Sequence, residues 1–369
     1  MRNIPWYRRY TELQNEVTSL KEEFKSRCLH LGVDPNKVFE ETRKEIIARI
    51  VHESNWQEGL YLDQGRTKEL ADAVFEETSG IEGPHIDINS IVETHRNRVI
   101  KFKREGLSIE ELASYNLSFA HVTLGWIATE LAERLVALLV YALDGFGEIY
   151  PRIKQQVPAE SRRAIDTGFE IIDQLKSDGG EVHYPLTGNI GTQGELIKEL
   201  EKVSFESLLS RMRIDYIHLL HRITMMGILP RRKIGVFRKA AVHVGDPDVF
   251  FPSVSTVPKL MEEFCESFPM ILRITVQHDP IKKAAEASYK FVRIHPYADG
   301  NGRISRLLMN LVLWGHYPPV YLKADKKGRH RYSQALKRAN RGNIEPLACL
   351  IAISLQEIYK KLLAAINVI

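Results

Sequence analysis

Apolar residues recur along much of this chain at alternating steps of three and four, the spacing that gathers them on one stripe of a helix. Leu13, Val17, Leu20 and Phe24 set the pattern. They predict a helix over 11–31 that docks on the protein's own body, because only about two heptads are present where a coiled coil wants roughly three or four. The same periodicity predicts helices over 35–56, 66–82, 88–104, 109–142, 159–176 and 195–211. The stretch 177–194 is dense in glycine and turn formers and reads as a linker or long loop. A boundary near its end divides the chain into a helical N-terminal region, 1–195, and a second domain, 196–369. In that domain helices are predicted over 214–226, 257–268, 280–294, 303–315, 331–339 and 345–364. Two short β-favouring runs, 240–244 and 249–251, flank the turn 245–248 and predict a hairpin. The fold class is therefore all-α, with one short β-hairpin.

One interruption of the helical pattern carries chemistry. Between two helices lies His295-Pro-Tyr-Ala-Asp-Gly-Asn-Gly-Arg303, followed by Arg306. Pro296 disfavours helix at His295, and helix resumes only after Gly302. Gly300 and Gly302 let the backbone take positive φ, so that amides at a helix N-terminus form an anion cradle. Arg303 and Arg306, three apart on the first turn, can face the same anion, and a polyphosphate would satisfy the whole set. Asp299 is a carboxylate of the kind that holds Mg²⁺ together with substrate phosphates. His295, with an ordinary pKa of roughly 6.5, is mostly neutral at cytoplasmic pH and can take a proton from a hydroxyl. Singly, each residue could be a cap, a turn former or a solvated charge. Eight fixed identities at fixed spacing would arise at a given start with odds on the order of one in ten billion, at about one in twenty per site.

Composition narrows the setting. With 369 residues, 44% apolar and 27% charged, the chain falls in the range of globular proteins that bury a proper core. A net charge of +4 is weak for a dedicated nucleic-acid binder. Cys28, Cys265 and Cys349 are odd in number and far apart, which points to a reducing compartment rather than to disulfides or zinc. No apolar h-region opens the chain, and its longest apolar run, 135–143, is too short to span a bilayer. A cytoplasmic protein with no membrane partner is the expectation.

The loop resembles the signature of the Fic (Fido) family, His-Pro-Phe-x-Asp/Glu-Gly-Asn-Gly-Arg-x-x-Arg, with Tyr297 in place of Phe. An aromatic ring there is expected to pack under the loop, which Tyr preserves. The likeness spans about 214–363, taking in Gly235-Val-Phe-Arg238, the hairpin with Phe251-Pro252, and the tail around Tyr332 and Asn340. It implies a Fic-fold helical bundle that moves the AMP part of ATP onto a protein hydroxyl. In that reading His295 is the general base and Asp299 binds Mg²⁺. Gly300, Asn301 and Gly302 hold the α- and β-phosphates, Arg303 and Arg306 the β- and γ-phosphates, and Tyr332 and Asn340 line the adenine pocket. Val242, His243, Val244, Phe250 and Phe251 form a flap that pairs with an extended segment of the target by strand addition.

Fic enzymes often carry an inhibitory helix marked Ser/Thr-x-x-x-Glu-Gly/Asn, and two stretches match: Thr78 to Glu82-Gly83 and Ser54 to Glu58-Gly59. Relatives usually place an apolar residue before the Glu, as Ile81 does and Gln57 does not. Leu70, Val74 and Ile81 share a stripe leading to Glu82, and Gly83-Pro84 is a natural stop. Glu82 is accordingly expected to reach Arg306 and displace the γ-phosphate from its productive position. In some relatives the same Glu positions water to remove AMP instead. The implied partner is a protein bearing a Ser, Thr or Tyr hydroxyl, the chain itself included, and a homodimer is compatible with the resemblance. The intact signature favours AMP over another phosphate-containing group. The non-enzymatic alternative is a regulatory adaptor for protein or nucleic acid using Arg231-Arg-Lys233, Arg238 and Lys239; it lacks an aromatic platform or DNA-reading motif.

Overall fold

The structure, a computed structural model, describes residues 10–79, 87–143, 214–242, 250–268, 279–314 and 316–366. Within them the chain forms helices α1 (Tyr10–Leu31), α2 (Pro35–Gln57), α3 (Gln64–Thr78), α4 (Ile88–Arg104), α5 (Ile109–Leu143), α6 (Ile214–Met225), α7 (Val257–Glu266), α8 (Pro280–Ile294), α9 (Asn301–Leu313), α10 (Lys326–Ala339) and α11 (Glu345–Ile366). The all-α class is as expected, and there is no strand among the described residues. Of the flap residues, Val242, Phe250 and Phe251 are described, while His243, Val244 and the turn between lie outside the described residues. The boundary near 195 lies outside them too. No helix described is long and apolar enough to cross a membrane.

The apolar stripe of α1 is where its spacing put it: Leu13, Val17 and Phe24 are buried. They dock α1 along α11, with the Phe24 and Tyr359 rings 6.2 Å apart. At the start of α1, Tyr10 donates a 2.7 Å hydrogen bond to Asp279. That carboxylate also caps α8 by accepting from the amides of Ile281 and Lys282, with Pro280 occupying the first helical position. Helices α2, α3 and α5 pack on one another, and α5 continues onto α6 and α9. One buried apolar cluster joins the helices before residue 143 to those after 214.

At its centre is α9, in which every residue from Arg303 to Leu313 is buried between α8, α5, α6 and α2. A helix enclosed on all sides must satisfy whatever polar groups it carries. Asn310 does so by exchanging two hydrogen bonds with the backbone of Val320, and Ser305 donates to the carbonyl of Gly302. The two arginines of the first turns are satisfied differently, and they define the site.

Candidate active site

The loop 295–300 begins where α8 is forced to stop. His295 takes the left-handed conformation, φ 51°, and it alone does so among the described non-glycine residues. Such a backbone costs roughly 1–3 kcal/mol and persists only where its surroundings impose it. Here Arg238 imposes it. Buried Arg238 donates from Nε to the carbonyl of His295, from its amide to that of Pro296, from Nη1 to Ala240 and from Nη2 to Pro252, at 2.6–3.2 Å. One side chain thus ties both flanks of the flap to the loop.

Below the loop, Tyr297 is fully buried and stacks on His221, their centroids 3.7 Å apart. The ring packs under the loop as expected, and its hydroxyl meets Nδ1 of His218 at 2.9 Å, a contact that phenylalanine would lack. His221 accepts from the amide of Gly235 at Nδ1, so its proton sits on Nε2, which donates to the carbonyl of Asp299 at 3.0 Å. Burial pushes its pKa down to about 3, fixing that neutral tautomer. Asn301 closes the loop from the other end, accepting from the Tyr297 amide and donating to its carbonyl. Neither His218 nor His221 stood out in the sequence. Their spacing of three on a helix was the signal available.

The geometry of His295 suits a base. Its Nδ1 lies 3.2 Å from the carbonyl of Val292, which can only accept, so Nδ1 carries the proton and Nε2 presents the lone pair. Phe251 packs against the ring, centroids 4.1 Å apart. Burial, aided by the Arg238 guanidinium, lowers the pKa of His295 below its ordinary 6.5 against the opposing pull of the Val292 carbonyl, Glu58 and Asp299.

Five residues past His295, Gly300, φ 81°, is the N-cap of α9, and it brings no side-chain capping bond. Arg303 is 2% exposed, and its Nε and Nη1 meet no hydrogen-bond partner. A buried guanidinium so left costs several kcal/mol unless an anion arrives. Beside a helix N-terminus, those two donors form a receptor for one. Asp299 is exposed at its rim, with Oδ1 accepting from the Gly300 amide at 2.6 Å. Among the described residues no three His, Cys, Asp or Glu side chains cluster. A single carboxylate of this kind can hold a hard cation only together with other oxygens, such as those of a bound phosphate.

Arg306 is already engaged. It donates from Nε to Ser54 Oγ at 2.8 Å, and from Nη2 to the Ser54 carbonyl at 3.0 Å and Glu58 Oε1 at 2.6 Å. The guanidinium thus meets a carbonyl in the last turn of α2, the end of a helix that favours cations. The carboxylate lies over the loop: a Cβ on Gly302 would run into Glu58 Oε1. Burial would raise the pKa of Glu58, but Arg306 and Arg303 outweigh it and hold the carboxyl below its ordinary range.

The sequence reading assigned this pairing to Glu82; in the structure the carboxylate on Arg306 is that of Glu58. Helix α3 ends at Thr78, where Ser79 turns extended (ψ 114°), and Glu82 lies outside the described residues. Gln57, the polar residue before Glu58, donates to the carbonyl of Lys323 at 2.8 Å. Of the adenine-pocket pair, Tyr332 adjoins Arg306 and Ser305, whereas Asn340 accepts a 3.0 Å bond from Tyr289.

Residues 211–313 match the Fic/DOC family, covering the site from α6 to the end of α9. The chain carries a Fic/DOC domain. It is 44% identical over 119 residues to a protein adenylyltransferase Fic of Aedes aegypti, 32% of this chain and 23% of that one. Its identity to the protein adenylyltransferase Fic of Drosophila erecta is 42% over 134 residues, 36% of this chain and 26% of the other. The chain thus spans about a quarter of the length of these relatives. In fold it is similar to a Fic-domain-containing signaling protein of Bacteroides thetaiotaomicron, with a TM-score of 0.52 at 16% identity over 95% of this chain and 98% of that one.

Proposed function

We propose that the protein transfers AMP from ATP to a hydroxyl of a protein and that Glu58 restrains the reaction. The observation that carries the reading is the buried Arg303, whose Nε and Nη1 meet no hydrogen-bond partner in the first turn of α9. Polyphosphate oxygens would complete those donors and the first-turn amides together. His295 Nε2 takes the proton of the acceptor hydroxyl as its oxygen bonds to the α-phosphorus; the bond from that phosphorus to the bridging oxygen breaks, and pyrophosphate leaves. Mg²⁺ at Asp299 would neutralise phosphate charge. Arg303 holds the phosphates, and Phe251 helps to keep water from the His295 ring.

In this reading Glu58 occupies Arg306, which would otherwise fix the γ-phosphate, so that ATP binds but is misaligned. The same charged carboxylate bears on His295, and this favours a second reading in which it orients water for removal of AMP. Intact-mass spectrometry after incubation with Mg-ATP and a lysate separates them. Added AMP on the chain or on a lysate protein, lost in His295→Ala, supports transfer. Loss of AMP from a previously modified protein, abolished by Glu58→Gln, supports removal. No nucleotide-dependent mass change in either direction would overturn both.

A further inference from the structure

A cavity of about 490 Å³ opens beside the catalytic loop. Ala298, between His295 and Asp299, forms part of its wall; Val236, Ala241 and Val242 contribute apolar surface, and Arg232, Lys233 and Lys239 contribute charge. Among the described residues no acidic side chain lines it. Arg238 also borders the cavity, but its guanidinium is committed to backbone carbonyls and is no free ligand for an anion. Arg232, Lys233 and Lys239 are exposed, and none of the three pairs with a carboxylate among the described residues. Three cations around one concave, partly apolar surface raise the local concentration of an anionic partner and favour its close approach.

The lining says which partner. Phe237, the one aromatic ring among its described lining residues, is partly buried and already packs against His218 and Tyr297, at centroid distances of 4.8 and 6.0 Å, so it makes no open platform of stacked rings. That disfavours single-stranded nucleic acid, whose binding relies on such platforms. Small apolar walls suit the aliphatic stems of amino-acid side chains. Residues 239–242 are outside any helix and run from Arg238, which anchors them to the carbonyl of His295. A chain lying in this cavity would therefore pass beside the base.

We infer that this cavity is a specificity site for an acidic segment of the target protein, in which Asp or Glu residues flanking the acceptor hydroxyl meet Arg232, Lys233 and Lys239. The inference rests on the proposed transfer to a protein, and it names the class of sequence that is chosen.

Direct binding tests it without relying on turnover. Fluorescein-labelled dodecapeptides with a central Thr flanked by Glu, or by Gln at the same places, are titrated with the full chain and followed by anisotropy. The Glu peptide should bind about tenfold more tightly at low salt, as three partly solvated ion pairs allow, and the advantage should fade at high salt. It should also vanish in the Arg232→Gln, Lys233→Gln, Lys239→Gln variant. Unchanged ATP binding and melting temperature of that variant show that it is folded. Equal binding of the two peptides to the parent chain, or an advantage that survives in the variant, overturns the inference. So does oligothymidylate that binds more tightly than the Glu peptide and displaces it, which would assign the surface to nucleic acid. If these binding results are as expected but no AMP is transferred to any protein, it is the proposed activity that fails.

Discussion

At the scale of single residues, His295 is specified by its neighbours rather than by its own chemistry. The Val292 carbonyl selects the tautomer, Arg238 holds the left-handed backbone, and burial lowers the pKa. A base works only when unprotonated, so transfer should be level at neutral pH and fall only below a pKa that is itself under 6.5. An acid limb centred above that value in the kcat/KM profile would contradict the assignment. His295→Ala should abolish transfer and leave ATP affinity nearly intact, because the phosphates are held by other groups; isothermal titration reads the second half. Asp299→Asn should raise the Mg²⁺ concentration needed for half-maximal rate, since one ligand charge is lost. Tyr297→Phe keeps the ring on His221 and removes only the hydroxyl that meets His218. A loss of about 1 kcal/mol in urea unfolding is expected, more if His218 is left unsatisfied, with transfer changed by no more than a few-fold.

Between elements, the decisive contact joins the end of α2 to the first turns of α9. Glu58 follows the last residue of α2 in a turn closed by Gly59, φ 80°, and its Oε1 reaches a guanidinium that is 5% exposed at the side chain. Breaking a buried pair costs roughly 3–5 kcal/mol, and about 1.4 kcal/mol is tenfold, so restraint by two to three orders of magnitude is within reach. Glu58→Gly should raise AMP transfer far more than ATP affinity. It should also lower the melting temperature without nucleotide, because Arg306 loses its carboxylate, and widen the stabilisation that ATP confers. Glu82→Gly is the control expected to do neither. The paired carboxylate titrates below its ordinary 4.5, so the contribution of the contact to stability is full above that value and fades as pH falls through the depressed pKa.

This contact also marks where sequence stopped being informative. The signature could be read because its glycines, proline and arginines each impose a local geometry. The loop, the described helices and the buried face of α1 followed from spacing, while the helices expected over 159–176 and 195–211 lie outside the described residues. Which of two short Glu-Gly patterns faces Arg306 depends instead on how α2 packs across α9, a long-range matter that no local spacing encodes. The His221 brace and the carbonyl clamp of Arg238 escaped for the same reason, being bonds between segments 14 to 78 residues apart.

Across the whole molecule, the helix that ends at Glu58 belongs to the same core as the catalytic helices. Ile46, Ile47, Ile50 and Val51 of α2 are buried in the common cluster. Glu53 accepts from the Ala324 amide at 2.7 Å, and Asn55 donates to Ser114 at 3.2 Å. Lifting α2 away would expose this apolar surface and break those bonds together, at a cost near that of global unfolding. Release of Arg306 must then be local: the turn from Glu58 to Asp63 moves, and α2 stays docked. Hydrogen exchange gives the sign. In Glu58→Gly, amides of 58–63 should exchange faster than in the parent chain, while those of 46–55 keep protection close to that of α9. If the whole of α2 loses protection in step with the gain in AMP transfer, the helix moves as a body. The local release argued from its buried face would then be refuted, even though Glu58 remained the group that holds the arginine.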